Sequence, residues 1–75
     1  MSDPARVTVH VTDRPINLTQ VLKLANCVQS GGEAKAVIDA GQVCVNGEPE
    51  ARKRRKLKAG DIVAIEGGPT IELRP

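Results

Sequence analysis

The 75-residue sequence contains no Phe, Tyr or Trp. Proteins that read unpaired strands usually stack bases on aromatic faces. That mode is excluded, since the imidazole of His10 is the only comparable ring. Any nucleic-acid contact has to run through phosphates, sugars and shape, with Arg planes available to lie on exposed bases. Long apolar runs are also missing: nothing approaches the ~20 residues of a membrane span, so no membrane partner is expected. Met1-Ser2-Asp3-Pro4 lacks the basic flank and apolar segment of a signal peptide, and a cytoplasmic location is expected. Cysteine is scarce. Cys27 and Cys44 have no His beside them and are expected to be small buried or half-buried thiols rather than a disulfide or metal site. His10 alternates with Val9 and Val11, which makes it an outward strand residue. With no paired acid and base, no nucleophile and base, and no metal-ligand spacing, no catalytic residue, cofactor or metal is expected.

What the chain does have is charge, unevenly placed. Arg52-Lys53-Arg54-Arg55-Lys56-Leu57-Lys58 holds six of the 11 basic residues and none of the nine acidic ones. The rest of the chain is therefore net acidic, while the whole carries only +2. Crowded like charges repel, a cost usually tolerated where a polyanion neutralises it. A solvated loop is the plain alternative. On strand-like alternation, Arg52, Arg54 and Lys56 would share one face, with Lys53, Arg55 and Leu57 on the other and Leu57 entering the core. If Arg52 to Lys56 all act, about four to six phosphates are neutralised and affinity falls roughly 10²–10³-fold between 50 and 200 mM salt.

Length bounds the chain to one domain over residues 1–75. A domain this small buries only about 60% of the surface its unfolded chain exposes. Arg6 to Val11 alternates as a half-buried strand, broken by Asp13-Arg14-Pro15. Asn17 opens a helix expected over 17–27, with Gln20 completing the cap and Ile16 stapling onto Val21. Leu18, Val21, Leu22, Ala25 and Val28 line its inner face, away from Thr19, Gln20, Lys23 and Asn26. Ser30-Gly31-Gly32-Glu33 has the form of a capping box for a second helix over 31–41, which Gly41 stops. Two glycines in a first turn cost roughly 1 kcal/mol each against Ala. Either helix 1 packs closely there, or bare N–H groups admit a phosphate. Val43 and Val45 then alternate with Gln42 and Cys44, and Asn46-Gly47 predicts a type I′ hairpin. The return strand is expected from Glu48 to about Lys53, with Pro49 at an edge. Turns at 58–61 and 67–69 bracket a strand at 62–66, followed by a last one at 70–73. The class is α+β, two packed helices followed by a small, mainly antiparallel sheet that takes in the N-terminal strand.

Three stretches together resemble a known family. They are Ser30-Gly31-Gly32-Glu33-Ala34-Lys35 with Ile38, then Gly41-Gln42-Val43-Cys44-Val45-Asn46-Gly47, then Leu57-Lys58-Ala59-Gly60-Asp61-Ile62. This resembles the alpha-L RNA-binding domain, the family of ribosomal protein S-four, over about residues 17–66. The Ser-Gly-Gly variant and the basic insertion look most like its small stand-alone bacterial members of the YbcJ/YaaA type. The resemblance implies a strongly bent sheet, with RNA against the helix pair and the hairpin edge. Thr19, Ser30, Gly31, Lys35, Gln42 and Cys44 are carried over as candidate RNA-binding positions, joined by Arg52, Lys53, Arg54, Arg55 and Lys56 of the basic run. The family's usual Arg after the serine is Gly31 here, which removes one phosphate contact that the basic run is placed to replace. The implied partner is structured RNA, ribosomal or transfer, bound by a monomer linked to translation.

Plainer readings stand beside these. Lys35 has Asp39 four residues on and can pair with it on a solvated face. Lys23 and Lys58 read as solvent residues. Two rival functions come from other classes. A ubiquitin-like sulfur carrier would use Gly67-Gly68, but Pro69 and further residues follow them. A helix-turn-helix DNA binder would need a recognition helix richer in Arg, Asn or Gln than Glu33–Ala40, whose only cation is Lys35.

Overall fold

The computed structural model describes residues 6–11 and 15–75. The expectations placed on Met1-Ser2-Asp3-Pro4 and on the Asp13-Arg14 break lie outside the described residues. Along the chain run β1 (Arg6–His10), β2 (Ile16–Asn17), α1 (Leu18–Leu24), α2 (Gly31–Asp39), β3 (Val43–Val45), β4 (Glu48–Pro49), β5 (Lys56–Leu57), β6 (Ile62–Ile65) and β7 (Thr70–Arg74). Five strands form one sheet in the order β1-β7-β6-β3-β4, and β2 with β5 forms a second, two-stranded one. Every pairing is antiparallel except β1 with β7. The α+β class and the inclusion of the N-terminal strand are as expected.

The helices form where the caps place them. The Asn17 side chain accepts from the Gln20 N–H at 2.9 Å, and Gln20 Oε1 accepts from the Asn17 N–H at 3.0 Å. Leu18, Val21 and Leu22 are fully buried and meet Ala34 and Ile38 of α2 over the sheet residues Val43, Val45, Val63, Ile71 and Leu73. Each such large side chain contributes about 1.5–3 kcal/mol relative to exposure. The first helix is shorter than its expected span of 17–27. Asn26 takes φ 60°, and the Cys27 N–H turns back to the Leu22 carbonyl at 3.0 Å. An Asn in the left-handed region ends the helix there. Ala25 and Val28 still enter the core, but from the connection. Ile16 lies in β2 opposite Leu57.

At α2 only half of the expected capping box forms. Ser30 Oγ accepts from the Glu33 N–H at 3.2 Å, but the Glu33 carboxylate accepts from the Gln29 N–H at 2.9 Å, one residue further back than the box requires. Gly41, at φ 74°, makes the expected stop.

The hairpin has left-handed residues at both Asn46 (φ 53°) and Gly47 (φ 88°), as a type I′ turn demands. Its return strand is two residues long and does not reach Lys53. Past Pro49 the Glu50 N–H still donates to the Val43 carbonyl at 3.0 Å, and the Glu50 side chain turns inward, 7% exposed, before the chain leaves β3. The return strand lies at the sheet edge, where Pro49 is expected. Gly67, at φ 73°, and Gly68 form the connection from β6 to β7.

The family's two late motifs meet in space. Asn46 Nδ2 donates to Asp61 Oδ1 at 3.1 Å, Asn46 Oδ1 accepts from the Ile62 N–H at 2.9 Å, and Asp61 Oδ2 accepts from the Lys58 N–H at 2.9 Å. Asn46 thus serves both the turn and the lock to the next strand.

Gly47→Val isolates the backbone requirement, because a Cβ at Gly47 has no atom within 4 Å to strike. The expected loss is about 1–2 kcal/mol, the cost of a left-handed conformation made worse by branching. A urea melt with an unchanged midpoint would contradict the turn.

Candidate nucleic-acid interface

From Arg52 to Arg55 the basic run is not a strand. After Glu50 it makes a tight loop, closed by the Arg55 N–H to Arg52 carbonyl bond at 3.2 Å. Face alternation from Arg52 to Arg55 therefore fails, although Leu57 enters the core, as expected, once β5 begins. Two contacts hold the loop. The first is with the start of α1, whose leading N–H groups lack partners inside the helix. The Leu18 N–H donates to the Arg55 carbonyl at 2.9 Å, and the Thr19 N–H to the Lys53 carbonyl at 3.1 Å. The Thr19 hydroxyl donates to that same Lys53 carbonyl at 2.8 Å.

The second contact is Glu50. Its carboxylate accepts from Arg55 Nη1 at 2.7 Å, from Arg52 Nε at 3.1 Å and from the Arg52 N–H at 2.9 Å. A buried carboxylate is stable only when paired and hydrogen-bonded in this way. The side-chain bond from Arg52, then that from Arg55 and the Arg52 N–H, outweigh burial and hold the Glu50 carboxyl at about 2, against an ordinary 4.5. At Asp61 burial pushes the carboxyl up, but the Lys58 N–H, the Asn46 amide and the nearby Lys58 and Arg55 charges bring it below its usual value.

The run is not uniformly exposed. The Arg55 side chain is only 33% exposed and is tied to Glu50, whereas Arg52 lies over the same carboxylate with most of its surface in solvent. Lys53, Arg54 and Lys56 have no ion-pair partner among the described residues. Lys53 and Arg54 line a groove of about 290 Å³ with Asn17, Thr19, Gln20, Lys23 and Gly31. The groove joins the starts of both helices to the basic loop.

Of the candidate positions, the groove brings together Thr19, Gly31, Lys53 and Arg54. Ser30 caps α2 through its hydroxyl. Lys35 pairs with Asp39 at 3.1 Å with both ends exposed, a bond weak enough to exchange. Gln42 is exposed beyond Gly41, and Cys44 is half-buried in β3 between Pro49 and Ala64. Neither lines the groove, nor do Arg52, Arg55 or Lys56. Asn17, Gln20 and Lys23 also line the groove and were not among the candidate positions. The signal was present, since Thr19 and Lys23 lie at i and i+4 and Gln20 and Lys23 at i and i+3 on the face opposite the apolar stripe.

The glycines of α2 bear on the same groove. A Cβ at Gly31 would meet nothing within 4 Å, and one at Gly32 only Ser30 Oγ at 3.9 Å. Close packing of helix 1 therefore does not explain them. Both cysteines are free and half-buried, as expected. Among the described residues no group of three or more His, Cys, Asp or Glu could hold a metal ion, and no helix is long and apolar enough to cross a membrane.

Comparison with known proteins gives the family. The model of the S4 domain matches residues 9–74. The chain belongs to the S4 domain family. It is 48% identical over 59 residues to the probable ribosome maturation protein RlbA of Bacillus subtilis, covering 79% of this chain and 83% of that protein. It is 44% identical over 52 residues to the putative RNA-binding protein YbcJ of Escherichia coli, covering 69% of this chain and 74% of YbcJ. The solution structure of E. coli YbcJ, described as revealing an alpha-L motif involved in RNA-binding, superposes with a TM-score of 0.66 at 35% identity. That match covers 100% of this chain and 92% of YbcJ. The resemblance to small stand-alone alpha-L domains is thereby borne out.

Glu50 gives this loop a pH signature. Its folded-state pKa is depressed, so its stabilisation is complete above about 4.5 and is lost as the pH falls toward about 2. Glu50→Gln should lower stability at neutral pH and flatten the acid limb in that window. Urea melts of both proteins between about pH 5 and about 2 check this; parallel limbs would show that Glu50 is not held by the two arginines.

Proposed function

We propose that this protein is a non-catalytic, cytoplasmic RNA-binding module, a single domain over residues 1–75, that acts as a monomer on structured RNA of the ribosome or of a translation intermediate. Its groove takes the phosphate backbone, with Lys23, Lys53 and Arg54 as cations and the open backbone at Gly31 as the point of close approach. The observation that carries this reading is the convergence of these cations with the starts of two helices in one groove of an S4 domain. The names of RlbA and YbcJ support ribosomal and RNA partners. The lack of aromatic residues favours folded RNA over a loose strand. Arg52 and Arg55 hold the loop, while Lys35 and Lys56 lie outside the groove and add only long-range attraction.

This division of labour changes the expected salt dependence. With about three phosphates neutralised rather than four to six, affinity for a stem-loop should fall roughly 40-fold between 50 and 200 mM salt. Lys53→Glu with Arg54→Glu should remove most of that slope while leaving the unfolding free energy from a urea melt within about ±0.5 kcal/mol. Titrations at several salt concentrations, with poly-uridine as competitor, test the reading. An unchanged slope in the double variant, or displacement of the stem-loop by poly-uridine at equal nucleotide concentration, would refute it.

Gly31→Ala separates folding from binding in the opposite sense. A methyl there strikes nothing in the protein and suits a helix, so stability should rise by about 0.4–1 kcal/mol. RNA affinity should nevertheless fall, because the methyl stands where the backbone meets a phosphate. Equal affinity with raised stability would remove Gly31 from the interface.

A further inference from the structure

Beside the basic groove lies a second hollow of about 300 Å³, lined by Ile16, Gln20, Lys23 and Leu24. Gln20 and Lys23 line both, so the two adjoin across these side chains. Leu24 is 61% exposed, the most exposed large apolar side chain among the described residues, and Ile16 beside it is half-buried. A lone exposed Leu is ordinary. Here it forms the apolar wall of a hollow whose rim is one of the groove's cations.

The polar group in the hollow is already oriented. Gln20 Oε1 is committed to the Asn17 N–H, so the amide can point only one way, and its Nε2 has no partner among the described residues. The hollow therefore offers an aliphatic surface, one outward hydrogen-bond donor and a cation at its edge. A nucleotide has the matching parts in the matching order, namely a flat apolar face, acceptors on the base edge and a phosphate one bond system away.

We propose that the Ile16–Leu24 hollow receives one unpaired nucleobase of the bound RNA, with its face against Leu24 and Ile16 and an acceptor toward Gln20 Nε2. Lys23 then bridges to the adjoining phosphate in the groove. This rests on the RNA-binding reading above and adds to it a contact that duplex RNA cannot supply. Aliphatic side chains do here, on a chain without aromatics, part of what an aromatic platform does elsewhere. It also gives Lys23 of α1 a position-specific role that the cations of the basic loop lack.

The test uses two stem-loop RNAs that differ at one bulged nucleotide, intact in one and abasic in the other, with methyl-resolved NMR of the full chain. The intact bulge should bind roughly three- to tenfold more tightly, in keeping with one partly buried apolar contact, and should move the Leu24 and Ile16 methyl signals upfield by its ring current. Leu24→Ala should erase the difference between the two RNAs and leave the abasic affinity unchanged. Leu24 is exposed, so the variant should stay folded, and the methyl shifts of the unmodified chain give a readout that needs no variant at all. Equal binding of both RNAs without methyl shifts overturns the base site while leaving the groove reading intact. Equal weakening of both RNAs by Leu24→Ala also overturns it. Failure of the unmodified chain to bind either RNA overturns both readings. Leu24 methyl shifts that appear only on adding ribosomal protein, and not with RNA, would assign the hollow to a protein partner instead.

Discussion

The carboxylate of Glu50 is the fixed point of the basic loop. Without it, the cations of residues 52–56 would repel one another into an extended, mobile segment. With it, Arg52 and Arg55 are drawn back over a buried negative charge, and the loop closes on itself between them. The closure sets what the chain can do next. It turns the Lys53 and Arg55 carbonyls inward, where they accept from the Thr19 and Leu18 N–H groups. The Lys53 and Arg54 side chains are left facing the groove. One acidic residue thereby divides a run of like charges into a structural pair and a presenting pair. Breaking such an anchor by removing one partner costs more than the pair itself is worth, because the other charge stays buried and alone.

The same economy shapes the other end of the motif. Asn46 is a turn residue by its φ and a lock by its side chain, and Asp61 is a turn residue that receives the lock. This explains in physical terms why a hairpin signal and a Gly-Asp turn, each weak alone, specify a fold when they occur at this spacing. The hairpin sets the register of β3 against β4, and the bonds from Asn46 to Asp61 and to the Ile62 N–H keep β3 in register with β6. With β6 in place, β7 and the parallel β1 can add outward from it.

What the sequence showed followed from local rules. The caps at Asn17 and Ser30, the stop at Gly41, the type I′ turn and the inward Leu57 all rest on bonds spanning four residues or fewer, or on simple periodicity. What it did not show was non-local. The end of α1 at Asn26 depends on an Asn accepting a left-handed conformation that a helical pattern alone does not announce. The two-stranded sheet of β2 with β5 needs segments far apart in the chain to meet, Ile16 with Leu57, and so do the bonds from the basic loop to α1. Glu50 looked like one more strand residue because nothing nearby indicated that it would be buried. The site was therefore legible as a composition, a basic run near two helix starts, and not as a geometry. Thr19, Gly31, Lys53 and Arg54 were named from it, while Asn17, Gln20 and Lys23, although spaced on the polar face of α1, join them in one groove only because the loop folds against α1.

The absence of aromatic residues reaches further than the choice of ligand. Without large rings the core is built from Leu, Ile, Val and Ala, and among the described residues fifteen of these form its buried cluster. Small aliphatic side chains fill a small volume without leaving polar groups to satisfy, which suits a 75-residue domain whose core has little depth. The cost falls on the surface, where there is no ring to hold a base. A groove of cations alone would grip any phosphate backbone and distinguish little among RNAs. Selectivity then has to come from shape and from whatever apolar surface adjoins the cations. In this fold the apolar surface that adjoins the cations is the exposed end of α1, where Leu24 lines a hollow with the Gln20 and Lys23 that also line the groove.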